Sequence, residues 1–439
     1  MIKICMIGTG YVGLVSGACL ADFGNNVFCV DIDKKRIQSL KKNIMPIYEP
    51  GLEHIVSRNV KSGRLHFMTD LKEAVTQSDV VFIAVGTPSL PDGSTDLTQV
   101  FGAAENLSAY LDGYKVIVQK STVPVGTMRE LARRIRERAG ADAEFDIVSN
   151  PEFLREGSAI EDFLRPNRVV IGVESEQAAA IMKKIYRPLY LLETPVVITT
   201  LETAELIKYA SNAFLATKIS FINEIATICD LVGANVDDVA KGMGLDRRIG
   251  PKFLHAGLGY GGSCLPKDVS SLIHVAQSRN HDPQLIRAAH DINTMQVERA
   301  LAKLKSEVDP LENKTVGLLG LSFKPNTDDV REAPSARLVE RLIMMKAKVK
   351  AFDPVAMDNF KTLGYKVEYC TNPYDVAEDC DAIMLITEWN EFRELDFSRL
   401  QRLMKSPVFI DCRNVYKQPL MTEHGFRYQS FGRGTTKGA

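Results

Sequence analysis

Residues 2–8, IKICMIG, run directly into GTGYVG at 8–13 and then into the apolar stretch LVSGACLADFG at 14–24. A β-branched run, three glycines at G-x-G-x-x-G spacing and an apolar segment rich in small residues fit one local structure: strand, tight turn, helix. Gly8 permits the turn, Gly10 opens the backbone to a close ligand, and Gly13 lets helix and strand pack closely. Tyr11 and Val12 belong to the same turn. The helix start directs amide donors and positive potential at whatever lies before it, which suits the phosphates of a dinucleotide. Asp31 follows at the end of a second strand, NVFCVDI (26–32). A carboxylate there accepts hydrogen bonds from ribose hydroxyls and repels a 2′-phosphate, so NAD is favoured over NADP. Arg36 is the one nearby group that would attract such a phosphate. Asp31 as a plain strand-end turn residue is the alternative, and the glycine spacing outweighs it.

The same pattern restarts near the other end. KTVGLLGLSF (314–323) leads to AKVKAFDP (347–354), again a strand ending in aspartate, then YKVEYC (365–370), CDAIMLITEW (380–389) and PVFIDCRNV (407–415). The second turn lacks the third glycine and has Ser322 in its course. In the first 200 residues, VVFIAVG (80–86), KVIVQKS (115–121) and FDIVSNP (145–151) continue a parallel sheet, which RVVIGV (168–173) and PVVITT (195–200) would extend. From 201 to 232 there is no proline or glycine, and Ala204, Ile207, Ser211, Leu215, Ile222 and Ala226 recur at helical spacing. One helix of that length exceeds roughly 40 Å, enough to connect two domains. The expected fold is therefore α/β: two Rossmann-like doubly wound domains joined by a long central helix and a small helical region. The expected divisions are 1–200, 201–305 and 306–430, with the polar tail 431–439 frayed together with Ser430.

At 439 residues the chain exceeds one ordinary core, and 45% hydrophobic with 25% charged residues is a globular balance. The net charge of −1 argues against nucleic acid or an anionic membrane as partner. No apolar run reaches the ~18 residues of a membrane span, since glycines interrupt the apolar N-terminus. Eight cysteines show no C-x-x-C pair and no zinc spacing, so no metal is expected. Scattered thiols fit a reducing cytosol, and a cytoplasmic location is expected.

Two segments at strand ends, GTP (86–88) and STVPVGT (121–127), bring Thr87 and Thr122 to the edge where such sheets bind ligands. Either threonine could instead cap a helix. NPEFLREGSA (150–159) places Glu152 and Glu156 four apart, and the long helix does the same for Lys208 and Asn212. GLGYGGSCLPKD (257–268) reads as a glycine arch, with Ser263 positioned to cap a helix starting near Pro266. Cys264 then lies at a helix N-terminus beside Lys267, two effects that favour thiolate, with Asp268 one turn on. A dinucleotide site and an activated thiol suggest covalent aldehyde oxidation: thiohemiacetal, hydride transfer, thioester, hydrolysis. An ordinary hydroxyacid dehydrogenase would leave Cys264 and the C-terminal half without a role.

GTGYVG, STVPVGT, NPEFLREGSA, KYASNAFLATKISFINE (208–224), GYGGSCLPKD and FKPNTDDVRE (323–332) occur in one order in which the chain resembles the UDP-glucose/GDP-mannose dehydrogenase family from residue 1 to about 425. The resemblance implies oxidation of a nucleotide sugar's primary alcohol to a carboxylate with two NAD⁺. UDP-glucose is the expected sugar, with GDP-mannose or a UDP-N-acetylhexosamine as alternatives. It implies Cys264 as nucleophile, Lys208 and Asn212 stabilising a developing oxyanion, and Asp268 with Thr122 handling protons through a water. Glu152 would position the hydrolytic water. Gly8, Gly10, Tyr11, Val12, Gly13, Asp31, Arg36, Thr87, Thr122, Glu156 and Lys267 would hold the cofactor. The nucleotide sugar would meet Glu152, Phe153, Leu154, Lys208, Asn212, Phe253, Tyr260, Gly261, Phe323, Lys324 and Arg413. Arg248 would reach into a partner subunit's site, and a homodimer would form about the central helix.

Overall fold

The computed structural model describes residues 1–434. The rest of the tail expected to fray, 435–439, lies outside the described residues. The chain divides into two compact units, Met1–Ser211 with Ser270–His281, and Asn212–Val269 with the chain from Asp282 onward.

In the first unit, β1 (Lys3–Ile7), β2 (Asn26–Val30), β3 (Leu65–Met68), β4 (Val80–Ile83), β5 (Lys115–Gln119), β6 (Phe145–Ser149), β7 (Val169–Gly172) and β8 (Val196–Thr199) form one sheet. Its order is β3-β2-β1-β4-β5-β6-β7-β8. In the second, β9 (Thr315–Leu319), β10 (Lys348–Phe352), β11 (Glu368–Tyr369), β12 (Ala382–Leu385), β13 (Val408–Asp411) and β14 (Arg427–Gln429) are ordered β11-β10-β9-β12-β13-β14. Both have the doubly wound arrangement, with the order reversing beside the first strand, and ligands bind at the carboxyl ends there. β4 and β5 are buried at every position, as sheet strands covered on both faces must be.

The expected extension by β7 and β8 is present, but β7 joins β6 antiparallel through the pair Ser149–Gly172. β3 and β14 were not legible as strands: LHFM and RYQ are only four and three residues long, and polar residues interrupt each. Of YKVEYC, only Glu368–Tyr369 pairs. The central helix spans Leu201–Val232 and stops at Gly233, whose φ of +76° gives the left-handed turn that ends helices. Gly13 is required by packing, because a Cβ there would lie 2.0 Å from the Gly8 carbonyl oxygen.

The expected fraying does not extend to 430–434. Phe431 is buried, Val236 N–H donates to Gly432 O at 2.7 Å, and Arg433 donates to Asp237 Oδ2 at 2.7 Å and to Asn414 O at 2.6 Å. Backbone contacts made by neighbours distant in sequence tie down a segment whose composition alone reads as loose.

Candidate active site

The glycine turn in the first unit opens directly onto the helix Tyr11–Asp22, whose N-cap Gly10 offers no side-chain cap. A Cβ on Gly10 would meet nothing within 4 Å, so there is open space beside the backbone at the helix start. Asp31 closes the rear of the turn. Its Oδ2 accepts from Thr9 N–H (2.8 Å) and the Thr9 hydroxyl (2.7 Å), its Oδ1 accepts from Asp33 N–H (3.0 Å), and Arg36 Nη1 donates to it at 3.2 Å. Burial would push the Asp31 carboxyl up, but the Asp33 and Thr9 hydrogen bonds and the Arg36 guanidinium together hold it below the usual range. An uncapped helix start, open space at Gly10 and a strand-end carboxylate fit a dinucleotide.

Glu49, which the sequence reading passed over, ties this turn to the Glu156 loop. Its carboxylate accepts from the Tyr11 hydroxyl, from Gly157 N–H (2.6 Å) and from Ala159 N–H (2.8 Å). Glu156 is itself buried. Thr87 and Thr122 are not helix caps, since the following helices begin at Thr98 and Thr127. The cap of the second helix comes from far away: Glu205 accepts from Gly126 N–H (2.7 Å) and Met128 N–H (2.9 Å), anchoring the Thr122 loop. Burial pushes the Glu205 carboxyl up to about 7, against the lowering effect of those two donors.

Residues 150–158 are irregular, so Glu152 and Glu156 do not share a helix face as a helical reading would require; the next helix begins at Ala159. Pro151 and the turn at Gly157 prevent regular winding. Glu152 Oε1 instead accepts from Lys208 Nζ at 3.1 Å, with the two side chains 5% and 3% exposed. Lys208 also lies 5.3 Å from the Phe153 ring centroid, and Arg168 stacks on that ring at 3.5 Å. Leu154 N–H donates to Glu152 Oε2, completing the turn.

Asn212, one turn after Lys208 on the central helix, belongs to the second unit. Its Nδ2 donates to Asp268 Oδ2 at 2.6 Å, while Lys267 Nζ donates to Asp268 Oδ1 at 2.7 Å. Lys267, expected at the cofactor, is thus ion-paired one residue along its own helix. That helix is Leu265–Gln277, one residue earlier than expected, with Asp268 N–H donating to Cys264 O at 2.9 Å. Cys264 Sγ lies 3.6 Å from Ser263 Oγ. It is partly exposed, whereas the other seven cysteines are buried. Burial pushes the thiols of Cys19, Cys29 and Cys380 up to about 12, which leaves them inert.

The glycine arch packs on protein. A Cβ on Gly259 would meet Asn293 Oδ1 at 2.3 Å, and one on Gly261 would meet Glu332 O at 2.4 Å. Asn293 clamps Tyr260 by accepting from its N–H (2.8 Å) and donating to its carbonyl (3.0 Å). Neither Asn293 nor Asn223, which accepts from Gly257 N–H at 2.8 Å, carries a sequence signal for this role. Phe253 sits at φ +65°, unusual for a bulky side chain. Lys324 Nζ lies 5.4 Å from the Phe323 ring centroid. Arg413 donates to the carbonyls of Ile386 (2.7 Å), Gly259 (3.2 Å) and Phe323 (3.2 Å), so it braces the arch. Arg248 is exposed and paired with Asp246. Among the described residues, no cluster of His, Cys, Asp and Glu could hold a metal ion, and no helix is long and apolar enough to cross a membrane.

The dinucleotide turn of the first doubly wound unit marks an NAD-dependent dehydrogenase, and the second unit carries a partly exposed thiol at a helix start. Three family domains match in order: the NAD binding domain of the UDP-glucose/GDP-mannose dehydrogenase family over residues 2–190, its central domain over 202–295 and its UDP binding domain over 317–418. The chain is 53% identical over 436 residues to a UDP-glucose 6-dehydrogenase of Rhizobium meliloti (strain 1021), covering 98% of this chain and 99% of that one. It is 48% identical to UDP-glucose 6-dehydrogenase TuaD of Bacillus subtilis (strain 168), covering 100% and 95%. A solved UDP-glucose dehydrogenase from Pyrobaculum islandicum superposes with a TM-score of 0.91 at 38% identity, covering 98% and 97%. The chain belongs to the UDP-glucose/GDP-mannose dehydrogenase family. NAD is its cofactor and a nucleotide sugar its substrate.

Proposed function

We propose that the protein oxidises the primary alcohol of UDP-glucose to the carboxylate of UDP-glucuronate, a four-electron reaction carried by Cys264. The observation that supports this sugar most strongly is the 53% and 48% identity, over nearly the whole chain, to relatives named UDP-glucose 6-dehydrogenase. NAD⁺, when bound, supplies the hydride acceptor for both oxidations. In the first, Asp268 and Thr122 take the hydroxyl proton through a water, and the carbon becomes an aldehyde. The Cys264 thiolate then adds to that carbon, and the resulting oxyanion is protonated to a thiohemiacetal. Loss of a second hydride and of the hydroxyl proton leaves a thioester. Lys208 and Asn212 stabilise the oxygen while it carries negative charge. Glu152 positions the water that cleaves the thioester, releasing carboxylate and regenerating the thiol.

A homodimer about the central helix is part of this reading. Phe214, Phe221 and Ile228 are exposed at seven-residue spacing, which makes an apolar stripe along the helix. Arg248 would then serve the partner's site. A reducing cytoplasm suits the free thiol.

The test supplies purified protein with NAD⁺ and a panel of UDP-glucose, GDP-mannose and UDP-N-acetylhexosamines, counting NADH per sugar consumed. Two NADH per UDP-glucose is expected, and one would remove the thioester route. Cys264→Ala is expected to abolish acid formation with NAD⁺ affinity nearly unchanged. Acid at the wild-type rate would reduce Cys264 to a structural thiol.

A further inference from the structure

Lys120 follows β5 and is 4% exposed, yet the reaction above gives it no part. Its Nζ donates to Asn150 Oδ1 at 3.1 Å and to the Tyr186 hydroxyl at 3.3 Å. The Tyr186 hydroxyl donates to the same Asn150 oxygen at 2.6 Å, and Asn150 Nδ2 donates to Val170 O at 2.7 Å. The ammonium also faces the Phe163 and Tyr186 rings, each 5.9 Å from its centroid. Every hydrogen-bonding atom of the Asn150 side chain is thereby engaged, and Asn150 is separated from Glu152 only by Pro151, whose ring fixes its own φ.

Burying an ammonium is costly, and an apolar side chain of similar length would pack at this position without that cost. Burial pushes the Lys120 amine down to about 8; the Glu152 carboxylate opposes that fall and the Lys208 ammonium adds to it. Lys120 thus lies within electrostatic reach of the Glu152–Lys208 pair. Beside it is a cavity of about 40 Å³, lined by Lys120, Asn150, Glu152, Asp162, Arg168 and Tyr186 among others, which can hold water. Of the charged groups there, Asp162 is paired with Arg155 at 2.6 Å and Arg168 is stacked on Phe153.

We infer that Lys120 is a positioning residue for Glu152: through Asn150 and Tyr186 it holds the Asn150–Pro151–Glu152 turn beside the cavity that Lys120 and Glu152 both line. The inference rests on Glu152 as the group that delivers the hydrolytic water. It follows that losing Lys120 slows thioester hydrolysis more than it weakens binding.

The experiment compares wild type, Lys120→Met, Lys120→Ala and Tyr186→Phe in rapid-mixing and steady-state assays with UDP-glucose and NAD⁺. For Lys120→Met, kcat is expected to fall on the order of 10- to 100-fold, the cost of a displaced catalytic group, with both KM values little changed. A burst of two NADH per site should precede the slow phase, and intact mass should show a thioester on Cys264. Lys120→Ala should regain part of its rate with added methylammonium, which the neighbouring cavity can admit. Tyr186→Phe keeps the packing and the amine, so it should melt like wild type and show a smaller loss of kcat with the same burst. Wild-type kcat in Lys120→Met and Tyr186→Phe overturns the inference. So does a loss without burst, thioester or amine rescue, because that pattern marks a merely structural lysine. Absence of NADH from the wild type with UDP-glucose would instead overturn the functional reading itself.

Discussion

The two doubly wound units repeat one backbone device and put it to different uses. In the first, Gly8 (φ +98°) donates to Val30 O at 2.8 Å and Ala84 to Ile7 O at 2.8 Å; in the second, Gly320 (φ +94°) donates to Phe352 O at 2.8 Å and Ile386 to Leu319 O at 2.8 Å. The strand-end aspartates correspond as well, Asp31 accepting from Thr9 N–H and Asp353 from Leu321 N–H at 2.7 Å. After that residue they diverge. Gly10 stands two residues past the first turn glycine with open space before it, and the helix follows at once. Its counterpart Ser322 donates both its N–H (3.0 Å) and its hydroxyl (3.1 Å) to Asp353, and the helix waits until Pro334. Trp389 Nε1 (3.1 Å), Val355 N–H (3.0 Å) and Ala356 N–H (2.8 Å) also donate to Asp353, which is fully buried. The same strand–turn–acid unit is a cofactor site where its donors are left open and a structural knot where protein groups fill them.

The largest expected effect would break this comparison at the knot. Asp353→Ala strands several buried N–H groups, so it should cost about 3–5 kcal/mol of stability, read by denaturant unfolding. An unchanged midpoint would mean that Asp353 is no more structural than Asp31.

Glu205 sharpens the contrast within the first unit, because it binds backbone amides much as Asp353 does but titrates near neutrality. Its carboxyl rises from 4.5 to about 7 on folding, so the folded state holds the proton more tightly. The stability it contributes is complete below pH 4.5 and is lost as pH rises to about 7, a change on the order of 3 kcal/mol. Glu205→Gln should flatten that part of the stability profile in urea melts run across the range. A profile that keeps its slope would assign it to other groups.

The smallest effect falls on binding. Asp31→Ala should raise the NAD⁺ dissociation constant roughly 10- to 100-fold, about 1.5–3 kcal/mol for hydrogen bonds to a charged group. Discrimination against NADP⁺ should narrow at the same time, while unfolding shifts far less than for Asp353→Ala. Titration calorimetry with both dinucleotides reads this directly. Equal losses of stability in the two variants would erase the distinction between the units.

Legibility followed the range of the interactions. GTGYVG, Asp31 and the helix 201–232 were readable because turn geometry, strand ends and helical periodicity act over a few residues. The pairs Glu152–Lys208 and Asn212–Asp268 were readable as candidates but not as pairs, since each joins residues 56 apart in the chain. Glu49, Lys120, Glu205 and Asn293 carried no motif. Their roles come from backbone amides and side chains delivered by other elements.

The sequence by itself determined the two glycine turns with their strand-end aspartates, the helix that follows the first turn and the thiol at a helix start, because local backbone chemistry dictates all of them; the helix expected straight after the second turn begins only at Pro334. Only the tertiary structure decided that β7 joins antiparallel, that the glycine arch rests on Asn293 and Glu332, and that Ser322 closes on Asp353 while the space at Gly10 stays open. Those outcomes depend on which distant donors fill a space, and no short-range pattern records that.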